Sequence, residues 1–186
     1  MNIGITKIMV LFGSLIVLVG CSEQSEYESM IQQGLNSERE VNDIFLGYEF
    51  GMTREDFLQV SWEMNQQQII TGGVNIVYLL EDLKSTARLE FFPKFENGVI
   101  VKVPVSASYI SWSPWNEQYN ADELLRDLKT YYEDFYSTTF KQVEVPGNEV
   151  APWVSIEGNR EIRMFKNSVN TIQVEFTDLS KVYQNS

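Results

Sequence analysis

One cysteine in 186 residues limits how this chain can be held together. Cys21 has no partner for an intrachain disulfide, so the fold has to stand on a hydrophobic core. The material for that core is present: 11 Phe, 9 Tyr and 4 Trp in a chain that is 44 % hydrophobic, a composition of globular rather than disordered sequences. Histidine is absent. Its absence removes Ser-His-Asp and Cys-His nucleophilic systems, histidine acid/base work and nearly all catalytic zinc sites. A carboxylate pair, a Ser-Lys arrangement or a calcium site would remain. A calcium loop needs acids at alternate positions followed by glycine, and no such run occurs, so no metal or cofactor is expected.

The position of Cys21 carries its own meaning. Lys7 is followed by an uncharged, apolar-rich run, Ile8 to Val19, with Ser14 as its one polar side chain, and then by Gly20-Cys21. A basic residue, a hydrophobic stretch and small residues at a cleavage point make a secretory signal. The run is shorter than the ~20 residues a membrane span needs. Leu18-Val19-Gly20-Cys21 resembles the lipobox of bacterial lipoproteins. The resemblance implies a signal peptide over 1–20 and cleavage before Cys21. It also implies acylation of Cys21, palmitate-type lipidation included, and a lipid-anchored life in the cell envelope, at the outer membrane if the host is Gram-negative. Residues 1–20 hold one of the 14 basic residues and none of the 26 acids. The remainder is therefore strongly acidic, which argues against nucleic acid and anionic headgroups as partners.

Residues 21–43 are polar and acidic, with Glu23, Glu26, Glu28, Glu38 and Glu40. They are expected to form a flexible tether, with at most a fraying helix around 27–33. Beyond them the pattern predicts a short strand at 45–50. A helix follows, capped by Thr53 with Asp56 three residues on and striped by Phe57, Val60 and Met64. Strands are predicted over 74–80, 87–95 and 99–105, the last two joined by Asn97-Gly98, a strong hairpin signal. Pro104 should end the third strand or place it at an edge. The order then repeats. Asn120 caps a second helix, striped by Leu124, Leu128, Tyr131 or Tyr132, and Phe135, and strands follow over 140–145, 153–156, 161–166 and 171–177. This predicts an α+β fold of two tandem helix-plus-antiparallel-meander repeats, 44–111 and 112–186, forming one body with helices on one face of the sheet.

Phe50-Gly51-Met52-Thr53-Arg54-Glu55-Asp56-Phe57 resembles the Gly-Met-(Ser/Thr)-x-x-(Glu/Asp)-hydrophobic opening of small envelope lipoproteins. Among these are the outer-membrane-assembly lipoproteins that share the architecture of β-lactamase inhibitor protein. The resemblance implies a helix packed on a small antiparallel sheet and a role in binding proteins, with no catalytic residue to carry over. The second half lacks the Gly-Met opening.

Tyr109, Trp112, Trp115 and Tyr119 cluster around Pro114. They could bridge the halves as core, or form a stacking platform for a glycan or a protein hot spot. Three acid groups, Glu81-Asp82, Glu117 with Asp122-Glu123, and Glu133-Asp134, could supply a hydrolase dyad if one carboxyl were buried. The expected function is a non-enzymatic, lipid-anchored envelope protein that binds a protein partner. A glycan-binding lipoprotein and a small carboxylate-based hydrolase are the alternatives.

Overall fold

Three N-caps legible as single side chains start three helices in the computed structural model, which describes residues 25–73 and 75–183. Ser25 opens α1 (Glu26–Asn36) and Thr53 opens α2 (Arg54–Gln66), each in a reciprocal capping box with the acid three residues on. Asn120 opens α3 (Ala121–Tyr136) by accepting the Glu123 amide at 3.0 Å. Each cap satisfies backbone donors that the first helical turn leaves unpaired. A fourth, short helix, α4 (Leu179–Tyr183), closes the described chain.

Between the helices run β1 (Ile70–Gly72), β2 (Ile76–Leu80), β3 (Ala87–Phe91), β4 (Lys94–Glu96) and β5 (Val99–Tyr109). After α3 come β6 (Lys141–Gln142), β7 (Trp153–Glu157), β8 (Arg160–Lys166) and β9 (Ile172–Asp178). They join in one antiparallel sheet of order β1-β2-β3-β5-β9-β8-β7-β6, with β4 paired to β5. The α+β class is thus as the pattern predicts. At the seam, β5 and β9 pair from Lys102↔Thr177 to Ala107↔Ile172.

Pro104 lies inside this central strand, against the expectation that it would end β5 or mark an edge. The register explains its tolerance. Val105 faces Phe91 at the end of β3, and Lys102 faces Lys94 at the start of β4. Pro104 therefore falls opposite the break between them, where a ladder N–H has no strand partner to lose. Residues 45–50 form no strand. They make a tight turn, with Leu46 and Gly47 both at positive φ and Tyr48 N–H donating to the Phe45 carbonyl at 2.9 Å.

The main core lies on the sheet face carrying Phe91, Val105, Val174 and Met164. α3 lies on this face through Leu124, Leu128 and Tyr132, all buried. α2 adds Phe57 beside the edge strand β1. Because α2 meets β1 whereas α3 meets β5, β8 and β9, the doubled order of helix and strands does not amount to two equivalent repeats. The boundary drawn at 111/112 crosses a continuous sheet and core.

The tether expected over 21–43 is corrected by α1 for its described part. Tyr27, Ile31 and Gly34 are buried, and a second apolar cluster joins Tyr27 and Ile31 to Val143, Val145, Val154 and Leu179. Val154 neighbours Trp153, whose ring lies 5.1 Å from Lys129 Nζ of α3. Successive strand residues point to opposite faces, so α1 covers the sheet face that α3 does not, and the helices are not confined to one face. A polar anchor completes the docking. Tyr27 Oη donates to Glu161 Oε1 at 2.7 Å and accepts from Arg163 Nη2 at 2.6 Å, and Arg163 reaches the same carboxylate at 2.9 Å. The 22–43 composition hid this because a single three-residue stripe, Tyr27-Ile31-Gly34, is enough when its partners lie more than a hundred residues away.

Burial also fixes how stability should vary with pH. Tyr27, Tyr48, Tyr109, Tyr132 and Tyr136 are each pushed above the ordinary tyrosine value, in every case chiefly by desolvation. A folded-state pKa above the unfolded one contributes stability that is full below the unfolded value, 10.0, and is lost as pH rises past it. Glu133 runs the other way. Lys129 and the Phe140 amide hold its carboxylate below 4.5, so that contribution is present above 4.5 and lost as pH falls through the folded value. With no histidine in the chain, stability should be flat between these limits. Urea midpoints across pH, read beside tyrosinate absorbance, should show a plateau, an acid decline and an alkaline decline in which tyrosines ionise together with unfolding. Independent tyrosine titration near pH 10 in a still-folded chain would contradict the burial argument.

Candidate functional site: an aromatic groove along helix α3

The four aromatic residues of the linker do not meet on one surface. Tyr109 ends β5 inside the core, and its hydroxyl donates to the Asp127 carboxylate of α3. Tyr119, in a 3-10 turn over 117–119, packs edge-on against that ring at 5.7 Å. Trp112 is half-buried against the main core. Trp115 stands 86 % exposed. Cys21 lies outside the described residues.

The acid groups are spread as well. Lys84 bonds Glu123 at 2.6 Å, and its ammonium, with Arg126 beside it, holds that carboxyl below the ordinary range. Glu133 receives Lys129 at 2.7 Å. Both shifts oppose what a general acid needs. Asp122 pairs with Lys166 at 2.8 Å. Among the described residues, no three acidic or thiol side chains are grouped to hold a metal ion.

A concave feature of the surface lies elsewhere, where α3 meets the 43–49 turn. The helix carries adjacent aromatic pairs, Tyr131-Tyr132 and Phe135-Tyr136. At 3.6 residues per turn these make two parallel ridges. Tyr132 and Tyr136 stack at 5.9 Å and 24°, Tyr131 and Phe135 at 5.8 Å and 22°. The first ridge meets Phe176 of β9. The second stands at the shoulder, with Phe135 58 % exposed.

Facing these rings is the turn at Leu46-Gly47. Gly47 takes positive φ without steric cost, whereas Leu46 at +55° is held there against its Cβ. The Tyr136 hydroxyl donates to the Ile44 carbonyl, and Asp43 and Glu49 form a bridge that closes the turn. Arg160 fastens the same end from β8. Its guanidinium lies 4.2 Å over the Tyr136 ring and donates to the Asp43 carbonyl at 2.9 Å and to Glu157 at 2.8 Å. Its side chain is only 4 % exposed, and its Nε has no partner.

Three adjacent cavities lie along this line. One of about 360 Å³ runs between the turn and the Arg160–Glu157 pair. A second, of about 440 Å³, lies on the other side of Leu46 and is walled by Tyr78, Leu80, Tyr131 and Phe135. The third, about 540 Å³ and more open, continues past Tyr131 to Asp82, Asp127 and Asp134. Phe135 and Leu46 belong to the first two, Phe135 and Tyr131 to the last two. The result is a groove of adjoining cavities that share these walls, apolar in the middle, charged at the Arg160–Glu157 end and acidic at the Asp82 end.

Sequence reasoning placed Phe135 on the core stripe and missed the groove. The available signal was the doubling of aromatics: a helix that buries 124, 128 and 132 has no core position left for both 131 and 135. Compared with protein-family models, curated proteins and solved structures, the chain has no match.

Proposed function

We propose that the protein is a lipid-anchored, non-enzymatic protein of the cell envelope that binds a protein partner along the α3 groove. The observation that carries this is Phe135. It is a large ring more than half exposed, backed by Tyr131 and faced by the Leu46 turn, in a concave apolar surface that nothing in the described chain covers. Aromatic rings in such settings are where interface energy concentrates. Anchoring through Cys21 is supported by the lipobox-like Leu18-Val19-Gly20-Cys21. Protein binding rather than catalysis is supported by the Gly51-Met52-Thr53 resemblance and by the directions in which the carboxyl groups shift.

A photo-crosslinking side chain at position 135 in native membranes should yield a discrete protein adduct, and one at Gln59 on the outer side of α2 should not. Phe135→Ala should abolish the adduct formed from a crosslinker at Leu46 while leaving the melting temperature nearly unchanged. An adduct from position 59 or 115 with none from 135 would move the interface away from the groove. Glycan binding has one observation in its favour, the exposure of Trp115. Quenching of its fluorescence by oligosaccharides, lost in Trp115→Ala, would support it.

A further inference from the structure

We propose that the Asp82 end of the groove is a binding site for a small organic ammonium ion, one whose charge is carried on an alkylated nitrogen. The site stands on its own observations and does not depend on whether the rest of the groove takes a protein segment.

Its walls are rings. Tyr78 projects from β2, while Tyr131 and Phe135 project from successive turns of α3. Tyr131 and Phe135 stack, so they present a shared ring surface. An aromatic face carries a negative quadrupole and attracts cations, most strongly those that shed their hydration cheaply.

Its charge is acidic and unspent. The open lobe next to these rings is lined by Asp82, Asp127 and Asp134, against Lys84 as its one ammonium group. Lys84 is already committed to Glu123 at 2.6 Å, with Asp127 at 3.7 Å. Asp127 also accepts the Tyr109 hydroxyl. The carboxylates of Asp82 and Asp134 have no hydrogen bond or ion pair among the described residues. This contrasts with the rest of α3, where Asp122, Glu123 and Glu133 are each matched by a lysine. Asp82 lies close enough to Tyr78 and Tyr131 that its charge, after burial, helps push both phenols above their ordinary value. Both rings therefore stay neutral beside a carboxylate at neutral pH.

The ligand class follows by elimination. An anion would meet these acids. A bare metal ion would need several converging ligands, and no such group occurs among the described residues. A neutral apolar molecule would fill the cavity but leave the charges of Asp82 and Asp134 unmatched. A primary ammonium would have to surrender strong hydration to reach the rings. An alkylated ammonium satisfies both halves of the site, with apolar substituents against Tyr78, Tyr131 and Phe135 and charge toward Asp82 and Asp134.

Choline and its uncharged carbon isostere 3,3-dimethylbutanol test this directly. Each is titrated into the purified protein at fixed low salt, followed by calorimetry and by the tyrosine ring signals in NMR. Choline should bind about two- to fivefold more tightly than the alcohol, the difference expected of a solvent-accessible cation–π site. Asp82→Asn with Asp134→Asn should reduce that preference and leave the melting temperature unchanged, since both side chains are exposed. Tyr131→Leu should weaken choline and leave the alcohol little affected. Equal affinity for the two probes, or no saturable choline binding at millimolar concentration, would overturn the proposal. So would a preference undiminished by loss of both aspartates. None of these outcomes bears on the crosslink from Phe135, which tests the protein-binding proposal separately.

Discussion

A chain that begins at Arg39 should be about 3–6 kcal/mol less stable than one that begins at Ser25, because it loses the burial of Tyr27 and Ile31, each worth ~1.5–3 kcal/mol. α1 makes none of the sheet hydrogen bonds, so β1 to β9 would still pair and the shortened chain should still fold. Its denaturation midpoint would fall because Val143, Val145, Val154 and Leu179 are uncovered together. A point variant reaches the same interface without removing residues. A Cβ at Gly34 would come within 2.6 Å of both the Gly158 carbonyl oxygen and Ile156 Cγ2. The carbonyl belongs to backbone that cannot swing aside, and Gly158 is itself held at φ +59° against the Arg39 carbonyl. Gly34→Val should therefore shift the urea midpoint in the same direction as the truncation. Identical midpoints for Gly34→Val and the parent chain would show that α1 does not dock as described.

Phe176→Ala should cost ~3–5 kcal/mol, the range for emptying a well-packed aromatic site. Phe176 is fully buried on β9 at the seam with β5. Its ring meets Phe45 at 5.3 Å, Tyr132 at 5.8 Å and Tyr136 at 6.2 Å. It thus joins the turn, the helix and the sheet at one point, and no neighbour can collapse into the hole without dragging another element along. The same cavity should loosen the back wall of the groove. Amide exchange at Tyr48, whose N–H closes the turn, should accelerate more in Phe176→Ala than in Phe57→Ala at matched stability. Equal acceleration in the two variants would show that the turn is held by its own hydrogen bonds and not by the ring beneath it.

Much of the architecture is written locally. Thr53, Asn120 and the Asn97-Gly98 pair each act through bonds within four residues, and each begins or turns an element where the sequence places it. The alternation of Ile172, Val174 and Phe176 reads directly as one buried face of β9. What escaped was set by distant partners. Tyr27 and Ile31 read as scattered apolar residues in an acidic stretch until Val154 and Glu161 are placed against them. Phe45-Leu46-Gly47-Tyr48 reads as a strand because Phe, Leu and Tyr favour one. The turn arises because Tyr136 and Arg160 hold the backbone at Ile44 and Asp43. Phe135 carries a helical spacing that fits the core, and only the packing of α3 through Tyr132 against Phe176 leaves it outside. The candidate site is assembled almost wholly from contacts of this second kind, and so little of it was legible.

The docking of α1 sets an order of events during synthesis. Tyr27 finds its hydrogen-bonding partner Glu161 134 residues later, and the seam strand β5 waits for β9, with Lys102 facing Thr177. A chain emerging from its N-terminus would present α1 early and complete the surface on which α1 docks last. Through that interval the apolar face of Tyr27 and Ile31 would stay open to solvent and to other emerging chains. Such long-range closure slows folding and lengthens exposure to aggregation. The polar face of α1, with Glu26, Glu28, Gln32 and Gln33 beside the stripe, would keep the waiting segment soluble until the last strands arrive.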